Sequence, residues 1–372
     1  MGRSLTASDL GTVFGLATGI TPILMIIGGY INDRFGPKLI ISLGGVFVGV
    51  GYILCGAAQS ISMLYVSYGI LVGVGTGMVN GCTINAAVKL FPDRRGFAGG
   101  TVTAFLGVGA ACLPFAVNAL INQFGVSTAC VVFGLFAGIL IPLCALFTFQ
   151  CPVDFASHFP QRTASAQKTG LNVNWVGMIK SPLFIPLFLL FITGSTMGLM
   201  LISSLSGIAQ TQIGMSVQAA AFAVSVISIA NTCGRFFSGV ISDLIGRVQT
   251  LVVMLLIAIA GFVLLIDAGR GQELYFMLGI IAVGLCYGAF IGTYPSLVAD
   301  EFGHAHNSVN FSLMMTGYSV GGFGGPILLQ WSANEGTFTN AYLLCIGAAV
   351  LGVVCAAIFF LLKHGLLRKA HI

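Results

Sequence analysis

The sequence predicts an all-α membrane protein of two helical bundles with eleven transmembrane helices, and three observations carry that expectation. Only 7% of the 372 residues are charged while 57% are hydrophobic; a soluble domain has about a quarter of its residues charged. Eleven apolar runs are long enough to cross a bilayer. A short polar motif recurs with its two aspartates, Asp33 and Asp243, 210 positions apart.

The runs fall at residues 9–31, 38–58, 61–88, 96–121 and 127–149, and resume at 182–206, 216–241, 248–268, 274–298, 307–331 and 340–362. The expected organisation is an incomplete N-terminal bundle of five spans over residues 1–150, a cytoplasmic linker over 151–181, and a C-terminal bundle of six spans over 182–372. Within the linker, Asn172 to Ile179, with Trp175, is expected to lie along the membrane interface. Arg34, Lys38, Lys89, Arg94, Arg95, Arg162, Lys168, Lys180, Arg247, Lys363, Arg368 and Lys369 fall on one side of these spans, and only Arg3 and Arg270 on the other. The positive-inside rule makes the first side, and the C-terminus, cytoplasmic. A multi-pass protein of the plasma or cytoplasmic membrane follows, its N-terminus outside. Met1 to Leu10 is too short and polar for a signal peptide. The myristoylation-like start Met1-Gly2-Arg3-Ser4-Leu5-Thr6 is read as chance, because an outside terminus hides Gly2 from the enzyme.

The recurring motif is G-x-x-x-D-x-x-G. Gly29, Asp33 and Gly36 of the first copy match Gly239, Asp243 and Gly246 of the second, with basic Arg34 and Arg247 at the helix ends. Phe91 to Gly96 has its counterpart at Phe302 to Asn307, an offset of 211. A near-constant offset marks a duplicated membrane unit, as in transporters of two parallel repeats. The second copy has a span, 182–206, ahead of its motif helix, whereas the first has none. One N-terminal span is therefore expected to be absent from this sequence, through a misplaced start or a truncation.

Arg235 is the residue that points to chemistry. It lies eight positions before Asp243, about 12 Å deeper along a helix, within hydrocarbon roughly 30 Å thick. A guanidinium there costs about 2.5–3.5 kcal/mol or more unless it faces water or an anion. It cannot escape by deprotonation. Arg235 is read as the counter-ion of an anionic substrate; the alternative is an Arg that only pairs with backbone carbonyls. The ten cysteines are scattered through apolar runs without metal-ligand spacing, so neither a metal nor a cofactor is expected. The basic residues sit in short loops, which argues against nucleic-acid binding. No paired carboxylates or Ser/His set lies at membrane depth, so the chain is not read as an enzyme. A monomer in the lipid bilayer, carrying a small organic anion, is the expected state.

The stretch Gly29 to Lys38 resembles the signature G-x-L-A-D-R-x-G-R-K of the major facilitator superfamily, with Pro37 in place of a basic residue. Asn85, Phe91-Pro92-Asp93-Arg94-Arg95-Gly96, Ala98-Gly99-Gly100, Tyr294-Pro295-Ser296 and Asp300-Glu301-Phe302-Gly303 are similar to the oxalate/formate antiporter family, to which monocarboxylate porters are related. The resemblance implies alternating access by anion exchange or facilitated diffusion, of a monocarboxylate such as formate, lactate or pyruvate, or of oxalate. It implies a substrate site of Arg235, Asn231, Tyr287, Asn80, Leu106 and Met315. Asn80, Leu106 and Ile291 stand where the family has aromatic residues, Met315 where oxalate exchangers have a second cation, and Asn231 where proton-coupled porters have a carboxylate. It also implies that Asp33 and Asp243 act as gate latches, each at the start of a helix in the other half. His304 and His306 are expected to be solvated, and Asp267 and Glu273 to serve Arg270. Two other readings stay open from the residues: a transporter of a drug or sugar with a structural Arg235, and a transport-inactive truncated protein.

Overall fold

The computed structural model describes residues 7–150, 172–332 and 338–370. Among them the regular structure is entirely helical: α1 (Ala7–Phe35), α2 (Pro37–Gly56), α3 (Ile61–Leu64), α4 (Gly73–Leu90), α5 (Arg95–Ala145), α6 (Trp175–Lys180), α7 (Phe184–Ile208), α8 (Val217–Ile245), α9 (Arg247–Asp267), α10 (Glu273–Phe302), α11 (Asn307–Ser332) and α12 (Thr339–Ala370). A π-helical stretch, Tyr65–Val72, joins α3 to α4. Gly125, at φ 80°, breaks α5 into two limbs, so the runs expected at 96–121 and 127–149 form one bent helix. Each of the eleven expected runs is helical, as a bilayer requires of a chain whose backbone groups must be satisfied internally. Most of the linker, residues 151–171, and Met1 to Thr6 lie outside the described residues.

Among the described residues, eight helical stretches are long and apolar enough to cross a membrane by length and composition. The other three expected spans, α1, the first limb of α5 and α11, bear interior polar residues such as Thr21, Asn32, Thr103, Ser308 and Ser312. Large apolar side chains cover the outside, Leu135, Ile139, Phe222, Ile229 and Leu256 among them. That coat suits lipid and not water. The chain is a multi-pass integral membrane protein.

The motif glycines set the helix ends. Gly36 (φ 83°) and Gly246 (φ 103°) take left-handed backbone after α1 and α8, which lets α2 and α9 start one residue later; Pro37 occupies the first turn of α2. Helices α1 to α5 pack among themselves and α7 to α12 among themselves. The two groups meet along α5 against α8 and α1 against α11. The second group holds the larger core, built on Phe191, Phe262, Phe276, Phe290, Tyr294 and Tyr342. In the first group α2 lies close against α5, where a Cβ on Gly49 would sit 2.6 Å from the Cα of Gly138. Such small-residue contact holds membrane helices together where no hydrophobic force acts between them.

α6 starts at Asn174, whose side chain accepts from Gly177 N at 2.9 Å, and Trp175 is exposed. Arg270 does not pair as expected: among the described residues it makes no ion pair within 4.0 Å, because Asp267 and Glu273 end and begin separate helices around a turn at Gly271 (φ 82°).

Gly49→Leu should force α2 and α5 apart and lower stability by about 1–3 kcal/mol, the usual penalty of overpacking. The melting temperature of the protein in detergent reads this, and an unchanged melt would show that the seam has room.

Candidate functional site

α8 places Arg235 against three glycines. A Cβ on Gly100 of α5 or Gly292 of α10 would lie 2.5 Å from the Arg235 carbonyl, and one on Gly288 would overlap the Asn231 carbonyl. The neighbouring backbones therefore close directly around the arginine, and its side chain leaves toward an internal cavity of about 350 Å3. Arg235 Nε donates to Asn231 Oδ1 at 3.1 Å, and a terminal nitrogen donates to the Thr103 carbonyl at 2.9 Å. A guanidinium carries five N–H donors, so three are left for whatever fills the cavity. Arg235 is half-buried and lines the cavity.

Of the other expected substrate residues, Asn80, Leu106 and Met315 line the cavity. Asn231 and Tyr287 are not part of the lining. Asn231 stands behind Arg235 and fixes its plane. Tyr287 is buried, and its hydroxyl meets that of Tyr318 at 3.2 Å; Tyr318 does reach the cavity. Sequence reasoning missed Tyr318, Thr21, Thr76 and Tyr68, four polar side chains on the wall. Their signal is polarity inside apolar runs, which alone does not separate an inward face from a backbone-bonded one. Met25, Ile84 and Phe311 add apolar surface to the lining.

At that end polar contacts stitch the two groups of helices. Asp243 spans the N-terminus of α5, accepting from Gly96 N at 3.0 Å and Phe97 N at 2.8 Å. A carboxylate there gains about 0.3–1 kcal/mol from the helix dipole, more when partly buried. Gly239 makes this approach possible, because a Cβ there would overlap the Gly96 carbonyl. Asp33 meets α11 through a side chain: Ser308 Oγ donates to it at 2.6 Å, and Lys89 Nζ pairs with it at 2.8 Å. Gly29 lies directly against the Ser308 backbone. Asn32 Nδ2 donates to Ser308 Oγ at 2.8 Å and Asn307 Nδ2 to Asn85 Oδ1 at 2.5 Å. Arg34 points outward, over the ring of Phe35 at 5.6 Å.

A chain of buried charges was not assembled by sequence reasoning. Asp300 takes Arg95 at 2.6 Å from one half and Arg247 Nε at 2.9 Å from the other, while Arg247 reaches Asp243 at 2.5 Å. Arg95, Arg247 and Asp300 side chains are each under 10% exposed. Ser296 Oγ donates to the Arg95 carbonyl at 2.7 Å, and Lys363 pairs with Glu301 at 2.5 Å. Residue 300 lies 205 positions from Arg95, a distance at which sequence gives no pairing signal. The neighbouring His304 is only partly solvated, less than expected. Asn172 accepts from its backbone N–H at 3.0 Å and the linker end folds over the loop. Burial first, then the Arg95 guanidinium, pulls its imidazole down to about 4 from 6.5. His306 is exposed.

A sequence profile described as the Major Facilitator Superfamily matches residues 1–326 and 194–370. The oxalate:formate antiporter of Oxalobacter formigenes is 29% identical over 350 residues, 92% of this chain and 80% of that protein. An uncharacterized MFS-type transporter, YhjX, of Escherichia coli is 28% identical over 314 residues, 84% of this chain and 76% of that one. Among solved structures, a variant of the E. coli fucose:proton symporter FucP superposes with a TM-score of 0.70 at 16% identity, over 95% of this chain and 90% of that one, a likeness of fold.

Asp300→Asn should leave Arg95 and Arg247 buried without their shared charge and destabilise the protein by about 3–5 kcal/mol, as breaking buried pairs does; thermal unfolding in detergent measures it, and a melt like wild type would show that the network adds nothing to stability. The depressed His304 sets a pH dependence. The unfolded chain takes the proton near 6.5, the folded one near 4. Stability is therefore complete above about pH 6.5 and falls as pH drops toward 4. His304→Gln should flatten this part of a melting-temperature profile, and an unchanged slope would refute the assignment.

Proposed function

Because the chain belongs to the Major Facilitator Superfamily, and is thus a membrane transporter by family, we propose that it carries small organic monoanions by alternating access, with Arg235 as the substrate's counter-ion. The observation that carries this reading is a permanently charged side chain on the wall of a cavity, bonded to an amide and a carbonyl and, among the described residues, to no carboxylate. Two protein partners leave donors for one carboxylate, and a charge-assisted, bidentate pair is the strongest use of them. The likeness to a protein named an oxalate:formate antiporter supports a carboxylate. Met315 supports one negative charge over two, since among the described residues the wall it forms offers no second cation.

The coupling proposed is exchange or facilitated diffusion. Asn231 holds Arg235 without neutralising it and has no proton to give up. An inside-negative potential opposes anion entry by about 2.3 kcal/mol per charge per 100 mV. Exchange of one monoanion for another moves no net charge and escapes that penalty. The motif-bearing end is assigned to the cytoplasm by its Lys and Arg residues, and Asp33, Asp243 and Asp300 serve as its latch. Residues 1–150 and 182–372 are then the two rocking bodies.

Proteoliposomes holding the purified protein should take up labelled formate, lactate or pyruvate against the same unlabelled acid inside, and not fucose. Arg235→Gln should abolish that exchange, a loss of at least 100-fold for a buried charge pair worth about 3 kcal/mol or more. Transport by Arg235→Gln at the wild-type rate would end the counter-ion reading. Asn231→Asp should place a carboxylate against Arg235 and make exchange fall as pH rises, because the ionised aspartate would occupy the guanidinium in place of substrate.

A further inference from the structure

The reading of Arg235 as counter-ion is the premise here, and a second group joins it. Tyr287 is 4% exposed and packs against α7, where a Cβ on Gly198 would overlap its ring. Its hydroxyl has one partner among the described residues, the hydroxyl of Tyr318 at 3.2 Å. Two phenols at that distance share a single hydrogen bond, and burial decides its direction. If Tyr318 donated, the Tyr287 proton would be stranded inside protein, at a cost that buried orphan donors normally forbid. Tyr287 therefore donates. Tyr318, which lines the cavity, keeps its own proton for the cavity's contents.

Two other hydroxyls of the lining are occupied. Thr21 donates to the carbonyls of Ala17 at 2.8 Å and Gly73 at 3.2 Å. Thr103 donates to Gly99 at 2.9 Å and Gly100 at 3.1 Å. Back-bonding of this kind spends the hydroxyl on its own helix. Tyr318 is thus the hydroxyl on the α11 wall with its donor released and its acceptor filled. A neutral donor cannot replace Arg235 as a partner of the carboxylate, but it suits a substrate oxygen that carries no full charge.

We propose that Tyr318, oriented by Tyr287, donates a hydrogen bond to the bound substrate, on an oxygen at the carbon next to the carboxylate that Arg235 holds. Tyr318 is then a specificity-determining residue and Tyr287 a positioning residue. Acids with a hydroxyl or keto group at that carbon gain the bond, and acids with only hydrogens there do not.

The test compares lactate and pyruvate with propionate, which has the same carbon count and lacks that oxygen. Concentration-dependent thermal stabilisation of the purified protein gives each apparent affinity, and serves variants that no longer transport. Wild type should favour lactate and pyruvate. Tyr318→Phe should weaken both by roughly 3- to 10-fold, the span of one neutral hydrogen bond, and leave propionate unchanged. Tyr287→Phe should weaken them in the same order by less, since Tyr318 keeps its proton but loses its fixed direction. Equal effects on all three acids, or none on any, would overturn the proposal and mark the pair as packing. If wild type binds lactate and propionate alike, the assignment fails with Arg235's role intact. If Arg235→Gln binds all three as wild type does, the premise itself is what fails.

Discussion

A guanidinium cannot shed its proton, so Arg235 keeps a full positive charge wherever α8 carries it. In hydrocarbon that charge must have company, and the structure gives it an amide, a carbonyl and a cavity. Much of the surrounding architecture serves this placement. Gly100, Gly288 and Gly292 let α5 and α10 come up to the backbone of α8 at the arginine's own level. Without that closeness Thr103 would not reach the guanidinium, and the α5–α8 seam would not exist at mid-depth. On the proposed reading the charge also selects what enters, since a neutral occupant would leave it without an opposite charge at every turnover.

Among the described residues, the cross-half hydrogen bonds lie between Arg235 and the motif-bearing end. There the lock is ionic and buried, with Asp300 between two arginines and Asp243 on the start of α5. Farther along, the halves meet through apolar contact, with Phe323 over Gly19. The chemistry of the two ends suits their tasks. Burying an ion pair forfeits hydration that its mutual attraction only partly offsets. Opening gives that hydration back, so the pair separates with less net change than its short distances suggest. A greasy seal of equal area would have no such return. If these charges latch the end as proposed above, the arrangement would hold one state without trapping the protein in it.

Much of this was legible from residue order. The eleven runs, the repeated G-x-x-x-D-x-x-G and the depth of Arg235 all follow from local composition and one offset. Gly125 was readable only as a short gap, because a left-handed glycine bends the chain without adding polar residues. What stayed hidden has a common cause in long-range packing. Asp300 sits in a helix end that offers no hint of Arg95 and Arg247. His304 sits in a four-residue connection that reads as exposed until Asn172 returns to cover it. Tyr287 was expected in the lining because the family resemblance implies it; Gly198 instead makes room for its ring in the core, and it is Tyr318, one element away, that reaches the cavity.

The size of the cavity bears on how selectivity can arise. At about 350 Å3 it has room for several waters beside an acid of three carbons, since a liquid water takes about 30 Å3. A loosely filled site holds its ligand mainly by charge, and charge alone does not tell one monoanion from another. Discrimination has to come from groups whose direction is already fixed, or from a smaller volume reached when the halves close. Asn231 fixes the plane of Arg235 and Tyr287 fixes the proton of Tyr318, so two donors are set before any substrate arrives. If the substrate is the anion proposed above, closure along α1 and α11 would then expel water from around a ligand held at two points. In that drier space the same hydrogen bonds strengthen, because the local dielectric falls. Recognition and closure are on this account one event, with the fixed donors deciding which anion makes closure favourable.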